Sequence, residues 1–203
     1  KVVVRNISKT NETLKKIKQG NLDEQLQIGS NEEFVSLSDG INTTVAALKK
    51  AIADAAARID KELEFAQAIQ TSALPRLSAQ FRRNTGFDLY ADMHPAKEVG
   101  GDFYDFFMID DHRLAVVIAD VSGKGIPAAM FMMTAKAQIR NHIENSETLA
   151  EACTAINKAL CEGNDAQMFV TVFVAMLDLQ TGILTYVNGG NNPPLIADEG
   201  TFR

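Results

Sequence analysis

Glu98-Val-Gly-Gly-Asp-Phe-Tyr-Asp-Phe-Phe107, followed by Arg113-Leu-Ala-Val-Val-Ile-Ala-Asp-Val-Ser-Gly-Lys-Gly125, is the stretch that decides how this chain folds. The second segment is an apolar, β-branched run that reads as a buried strand ending in an aspartate and a glycine-bearing loop. Ile126-Pro-Ala-Ala-Met130 then opens a helix, with Pro127 in the first turn, where a missing N–H costs little. Asp102 follows a Gly-Gly pair, which lets backbone approach closely and leaves the carboxylate free to point into a cleft. Asp120 closes an apolar strand, where a buried charge needs a counter-ion or several hydrogen bonds. If the two strands pair, the two carboxylates converge, and oxygen ligands of this kind suit hard divalent cations such as Mg²⁺ and Mn²⁺. An aspartate before a turn is also commonplace, so the spacing alone fits ordinary turn chemistry at least as well.

Upstream of this stretch, Phe87-Asp-Leu-Tyr-Ala-Asp-Met-His94 alternates as a strand does. Downstream, residues 126–145 and 147–162 read as a helical pair, and a further strand is expected around Leu195-Ile196. From Phe87 onward the texture is mixed α and β.

Residues 1 to about 75 differ. They are helix-rich and free of proline until Pro75. Val3, Ile7, Leu14 and Ile17 outline an amphipathic helix over residues 2–19, stopped at Gly20. An extended connector, residues 21–30, carries Leu22, Leu26 and Ile28 as apolar anchors. A second helix begins near Asn31, a capping residue, with Glu32 and Glu33 suiting the positive end of its dipole. Its apolar seam runs Phe34, Leu37, Ile41, Val45, Leu48, Ile52, Ala55, Ile59, Leu63, Ala66, with gaps of three and four as in a coiled coil. Unbroken to Ala73, such a helix is on the order of 60 Å long. One narrow apolar stripe on so long a rod calls for a partner, most simply another copy of the chain.

Composition sets the outer bounds. The 203 residues, 46% hydrophobic and 23% charged, have the make-up of a globular protein with a real core. A formal charge of −6 speaks against a nucleic-acid partner. No apolar run reaches the roughly 20 residues of a membrane-spanning helix. Cys153 and Cys161 fall on one helix roughly 12 Å apart, too far to bridge, and read as reduced thiols. His94, His112 and His142 show no ligand spacing and are assigned no metal role.

Two resemblances extend this reading. Residues 1–53, with Glu32-Glu33-Phe34-Val35-Ser36-Leu37 and the helical Asn42, resemble a HAMP domain, the parallel four-helix relay of bacterial sensors; Glu32 stands where that family favours Asp, and Val35 where it favours Gly. An unrelated amphipathic hairpin is the alternative. Such domains usually follow a transmembrane helix, so the resemblance implies attachment at the cytoplasmic side of the bacterial inner membrane through a segment not present here. Glu98-Val-Gly-Gly-Asp-Phe-Tyr-Asp105 and Ala119-Asp-Val-Ser-Gly-Lys-Gly125, with Ala68-Ile-Gln-Thr-Ser-Ala-Leu-Pro75 and Asn188-Gly-Gly-Asn-Asn-Pro-Pro-Leu-Ile196, resemble the PPM-type (protein phosphatase 2C-like) serine phosphatases of the SpoIIE/RsbU branch.

That resemblance implies an α+β fold: HAMP-like helices over 1–53, a coiled-coil linker helix over 54–76, and a partial α-β-β-α sandwich over 77–203. It implies that Asp102, Asp120 and the backbone carbonyl of Val121 are metal ligands for Mg or Mn, two ions in the complete enzyme. The implied reaction is hydrolysis of phosphoserine or phosphothreonine on a protein, with no protein nucleophile. The implied partners are a second copy of the chain and a phosphorylated anti-sigma-factor antagonist, and the HAMP-like unit relays a signal to the phosphatase. The sequence opens at Lys1 and, after the Asp120 loop, holds neither a Thr-Asp-Gly nor an Asp-Asp or Asp-Asn motif of the kind that completes the family's site. The expectation is therefore half a binuclear centre, inactive by itself, in a longer active parent. The rival reading is a non-catalytic scaffold that only binds a partner.

The remaining polar and aromatic candidates have plainer readings. Asp105 should project to the opposite strand face from Asp102 and serve structure. Phe103, Tyr104, Phe106 and Phe107 read as core, and Met130, Met132 and Met133 as packing on the helix after the Asp120 loop. Lys124 lies in no P-loop motif. Lys97 is a candidate for holding a substrate phosphate.

Overall fold

A computed structural model describes residues 1–29, 31–76, 86–94, 98–198 and 201–202. The element order is α1 (Val2–Lys18), α2 (Glu32–Ala73), β1 (Phe103–Met108), β2 (Arg113–Val121), α3 (Ile126–Asn145), α4 (Leu149–Cys161), β3 (Val170–Asp178), β4 (Leu184–Gly189), β5 (Ala197–Asp198) and β6 (Thr201–Phe202). The chain divides into two compact units, Lys1–Glu62 and Leu63–Arg203. The boundary falls within α2, a single uninterrupted helix of 42 residues.

In the first unit, α1 ends where the sequence places its stop: Gly20 adopts φ +95° and its N–H reaches the Ile17 carbonyl. The connector is held by side chains rather than by a ladder. Asn42 on α2 grips Leu26 at both backbone groups, accepting its N–H at 2.9 Å and donating to its carbonyl at 2.9 Å. Ser38 donates to the same carbonyl, Lys9 reaches the Gln27 carbonyl at 2.6 Å, and Lys16 pairs with Glu24. Leu26 is thereby fully buried. The face of α1 that is buried is polar, formed by Asn6, Thr10 and Thr13. Its apolar stripe, Val3, Ile7 and Leu14, lies in the open, as do Leu37, Leu48, Ile52 and Ile59 of the α2 seam, each 45 to 53% exposed.

The second unit is built on one antiparallel sheet of order β1-β2-β3-β4. Alternation sorts its side chains. Phe103, Phe107, Ala115, Val117, Ala119 and Val121 point to one face and are buried there. Against them pack the inner stripes of α3 (Ala128, Met132, Ala135, Ile139, Ile143) and α4 (Leu149, Ala152, Ile156, Leu160). Thr148 and Glu151 form a reciprocal capping box at the start of α4, which satisfies two otherwise unpaired N–H groups. The helical pair therefore stands where the sequence places it.

The opposite sheet face carries no helix among the described residues and is partly covered, with Phe106, Leu114 and Ala175 buried on it. It carries Tyr104, Ile118 and the stacked pair Phe173–Tyr186, whose ring centres lie 5.5 Å apart. The expected α-β-β-α sandwich thus appears, among the described residues, as one helical layer on one four-stranded sheet, with only the two-residue pair β5-β6 besides. Phe87–His94 keeps the expected alternation, Phe87, Leu89, Ala91 and Met93 half-buried between exposed neighbours, and forms no ladder with another strand among the described residues. Its period is that of any extended segment laid on a surface. The strand expected at Leu195-Ile196 lies just beyond, at Ala197–Asp198, and Leu195 and Ile196 are both exposed. No described helix is long and apolar enough to cross a membrane.

Candidate metal centre

The register of β1 on β2 sets Phe103 opposite Ala119, so Asp102, just before β1, meets Asp120 across the sheet. The two carboxylates come within hydrogen-bonding reach. Both side chains are exposed, so the charge that closes β2 is not a buried one as the apolar strand suggested. Desolvation by the cleft wall and the neighbouring Asp120 carboxylate still push the Asp102 carboxyl above the ordinary range. Both line a cleft of about 570 Å³ whose other walls include Tyr104, Ile118, Asn191 and the extended 89–93 segment.

Two glycines before Asp102 have different tasks. A Cβ on Gly101 would lie 2.7 Å from the Val121 carbonyl oxygen, 2.9 Å from the Val121 Cβ and 3.3 Å from the Ala128 Cβ. Only glycine fits there. Gly100 has open space at its Cβ position, but its backbone is clamped. The Gln70 side chain, buried on the last turns of α2, donates to the Gly100 carbonyl at 2.6 Å and accepts the Gly100 N–H at 3.1 Å. Gln70 was not singled out by the sequence. A lone amide near a helix end followed by Pro75 has the pattern of a solvent-facing residue.

Past Val121, Ser122 exchanges two bonds with Phe169: its N–H to the Phe169 carbonyl at 2.8 Å, and the Phe169 N–H to its Oγ at 2.9 Å. Gly123 and Gly125 both take positive φ, which turns the chain into α3. Asn191 donates to the Ile118 carbonyl at 3.2 Å and ties the Asn188–Asn192 turn to β2.

Asp105 lies on the helix-facing side of β1, away from Asp102, as alternation requires. It is buried and paired with Lys136 of α3. Of the aromatic cluster, Phe103, Phe106 and Phe107 are buried and Tyr104 is half-buried. The methionines divide. Met132 is core, whereas Met130 and Met133 are exposed, because one helix face cannot bury positions so far apart around the axis. Lys97 lies outside the described residues. Among the described residues no group of three or more His, Cys, Asp or Glu side chains converges. Cys153 and Cys161 are both free thiols.

The family model for Stage II sporulation protein E (SpoIIE) matches residues 110–203, from the β1–β2 turn to the last residue. The phosphoserine phosphatase RsbU of Bacillus subtilis is 31% identical over 135 residues, 66% of this chain and 39% of that protein. The chain carries a SpoIIE/RsbU-type PPM phosphatase domain. Protein IcfG of Synechocystis is 30% identical over 209 residues, 89% of this chain and 31% of that protein. The chain therefore spans well under half the length of either curated relative. Among solved structures, the SiaA-PP2C domain of Pseudomonas aeruginosa superposes with a TM-score of 0.54 at 25% identity, covering 65% of this chain and 54% of that one. The SpoIIE match begins beyond Asp102 and includes Asp120 and Val121, while the match to IcfG takes in most of the chain.

Proposed function

We propose that this chain provides the Asp102–Asp120 half of a Mg²⁺- or Mn²⁺-dependent phosphoserine/phosphothreonine protein phosphatase, governed by a HAMP-like relay. The observation that carries the reading is the pair of facing carboxylates at the head of β1 and β2, with Asp102 protonated more readily than usual. Two facing carboxylate oxygens at the mouth of a cleft form a site suited to a hard divalent cation. Asp102, Asp120 and the Val121 carbonyl would hold it, and two ions are expected in the whole enzyme. Mg²⁺ or Mn²⁺ supplies the Lewis acidity that phosphate monoester hydrolysis calls for. The chain's own residues place that cation. Gly101 lets the Val121 carbonyl approach, Gln70 fixes the peptide before it, and Tyr104 and Ile118 wall the cleft where a phosphorylated side chain would enter. Relatives carrying the name phosphoserine phosphatase favour a phosphoprotein substrate, and an anti-sigma-factor antagonist of a partner-switching pathway is the substrate we propose.

For residues 1–53, the support for a HAMP-like unit is the Asn42 grip on the connector and the apolar residues left open on both helices. Leu14, Ile17, Leu37, Ile41, Val45 and Leu48 line one groove, which a second copy would fill to make a parallel bundle. The α2 helix then continues as a two-stranded coiled coil from residue 54 to its end at Ala73, three residues short of the expected 76.

The decisive measurement is Mn²⁺ binding by this chain, followed by calorimetry. Binding that is abolished in Asp120→Asn is expected. Equal affinity in Asp120→Asn removes the site. In the whole protein, the same substitution should abolish turnover of a phosphoserine peptide.

A further inference from the structure

Beneath the Asp102–Asp120 pair, on the helix-facing side of the sheet, sits another carboxylate. Asp105 is 2% exposed, and its side chain pairs with Nζ of Lys136 on α3, itself 12% exposed. One Asp105 oxygen also accepts the Phe106 N–H at 2.9 Å. Apart from the Arg140 guanidinium, which lies over the Phe107 ring one turn along α3, the neighbourhood is apolar. Val117 is the register partner of Asp105, and Met132, Ala135 and Ile139, which flank Lys136 along α3, are fully buried.

Stability does not account for such a pair. Taking two charges out of water costs as much as their attraction returns, and apolar side chains of similar volume hold two layers together as well or better. What the pair adds is an address. An apolar helix face can slide along an apolar sheet, whereas one buried charge meets its partner in one register.

Register has consequences at this place. The α3 helix grows directly from the loop that follows Asp120 and Val121, and Ala128 in its first turn sits against Gly101. The helix thus meets this strand region at Gly101–Ala128, at Asp105–Lys136 and again where the Arg140 guanidinium lies 4.5 Å over the Phe107 ring. A shift of α3 along the sheet would drag Val121 away from Gly101 and spoil the close approach of its carbonyl to the backbone just before Asp102.

We propose that Asp105 and Lys136 are positioning residues that fix the register of α3 on β1 and so hold Gly101, Asp102 and the Val121 carbonyl ready for a cation. This rests on the metal reading above and adds to it residues that touch neither metal nor substrate.

Two double variants of the chain test it. In Asp105→Leu/Lys136→Met the layers stay apolar but the address is gone. The melting temperature should equal or exceed that of wild type, while Mn²⁺ affinity falls about tenfold or more. Amide exchange at residues 99–102 and 121–128 should quicken about tenfold, with β3 and β4 unchanged. Asp105→Asn/Lys136→Gln keeps a hydrogen bond in the same place and should stay within about threefold of wild type in affinity. A purely packing role predicts the reverse pattern: stability moves and affinity does not. Wild-type affinity and wild-type exchange in the apolar pair overturn the inference. If that pair does not fold, Asp105→Asn/Lys136→Met takes its place: the same losses uphold the inference, and wild-type behaviour overturns it. Should wild type itself bind no Mn²⁺, the cation reading fails separately. Exchange then decides the register alone: local quickening upholds it and uniform rates overturn it.

Discussion

Gly100 and Gly101 are neighbours with the same side chain and opposite tolerances. At Gly101 a methyl group would press on a backbone carbonyl, which cannot swing aside as a flexible side chain can. Overpacking of that kind costs about 1–3 kcal/mol, and here the atom displaced is the Val121 oxygen proposed as a ligand. At Gly100 a methyl group meets open space, and φ lies outside the left-handed region. Gly100→Ala should therefore leave stability within about 1 kcal/mol of wild type, the unfolded chain losing some of its freedom. The expected outcome is a lowered melting temperature and weakened Mn²⁺ binding in Gly101→Ala, and neither in Gly100→Ala. Equal effects in the two would mean that the close contact with Val121 is not what the pair is for. The sequence shows that a Gly-Gly pair precedes Asp102. It does not show which glycine is required, because that depends on Val121 and Ala128, residues brought there by the sheet and by α3.

At the scale of elements, local signals were easy to read and tertiary ones were not. The long α2, the helical pair α3–α4 and the strands β1 and β2 follow from periodicity, caps and glycine turns, all properties of short windows. Phe87–His94 shows where that stops. Its alternation is genuine, yet alternation states only that an extended segment has a wet side and a dry side, not that a neighbouring strand is there to bond it. The convergence of Asp102 and Asp120 was legible only on the condition that their strands pair, and the β1–β2 register supplies that condition. Gln70 is the converse case, an amide whose role exists only because the last turns of α2 pack beside Gly100. Removing it in Gln70→Ala leaves a half-buried N–H and carbonyl without partners, a loss of about 1–3 kcal/mol. Amide exchange over residues 66–74 and 98–102 should quicken together, because one side chain holds both. Gln70→Glu should do at least as much, since a carboxylate keeps the acceptor but faces the Gly100 carbonyl with no donor. Quickening confined to the helix would show that the clamp does not hold the Gly100 peptide.

At the scale of the whole molecule, the unfinished surface is the informative one. Leu37, Leu48, Ile52 and Ile59 lie on one stripe of α2 at gaps a coiled coil uses, and each is about half exposed. Fully covering a leucine or isoleucine gains about 1.5–3 kcal/mol. Four half-covered residues on each of two chains therefore offer enough to offset the cost of association, provided the stripes face each other. A single long helix with a bare stripe has no such compensation and should fray along its middle, where residues 51–60 are all exposed. Two linked outcomes follow. The chain should sediment as a dimer at micromolar concentration, and Leu48→Glu/Ile52→Glu/Ile59→Glu should sediment as a monomer with reduced helical circular dichroism. Because the sheet and the α3–α4 layer share none of the three positions, near-ultraviolet signals from Phe103 and Phe107 should persist in that variant. A wild-type monomer that retains full helicity would mean that α2 needs no partner, and the relay would then have to act through a single rod.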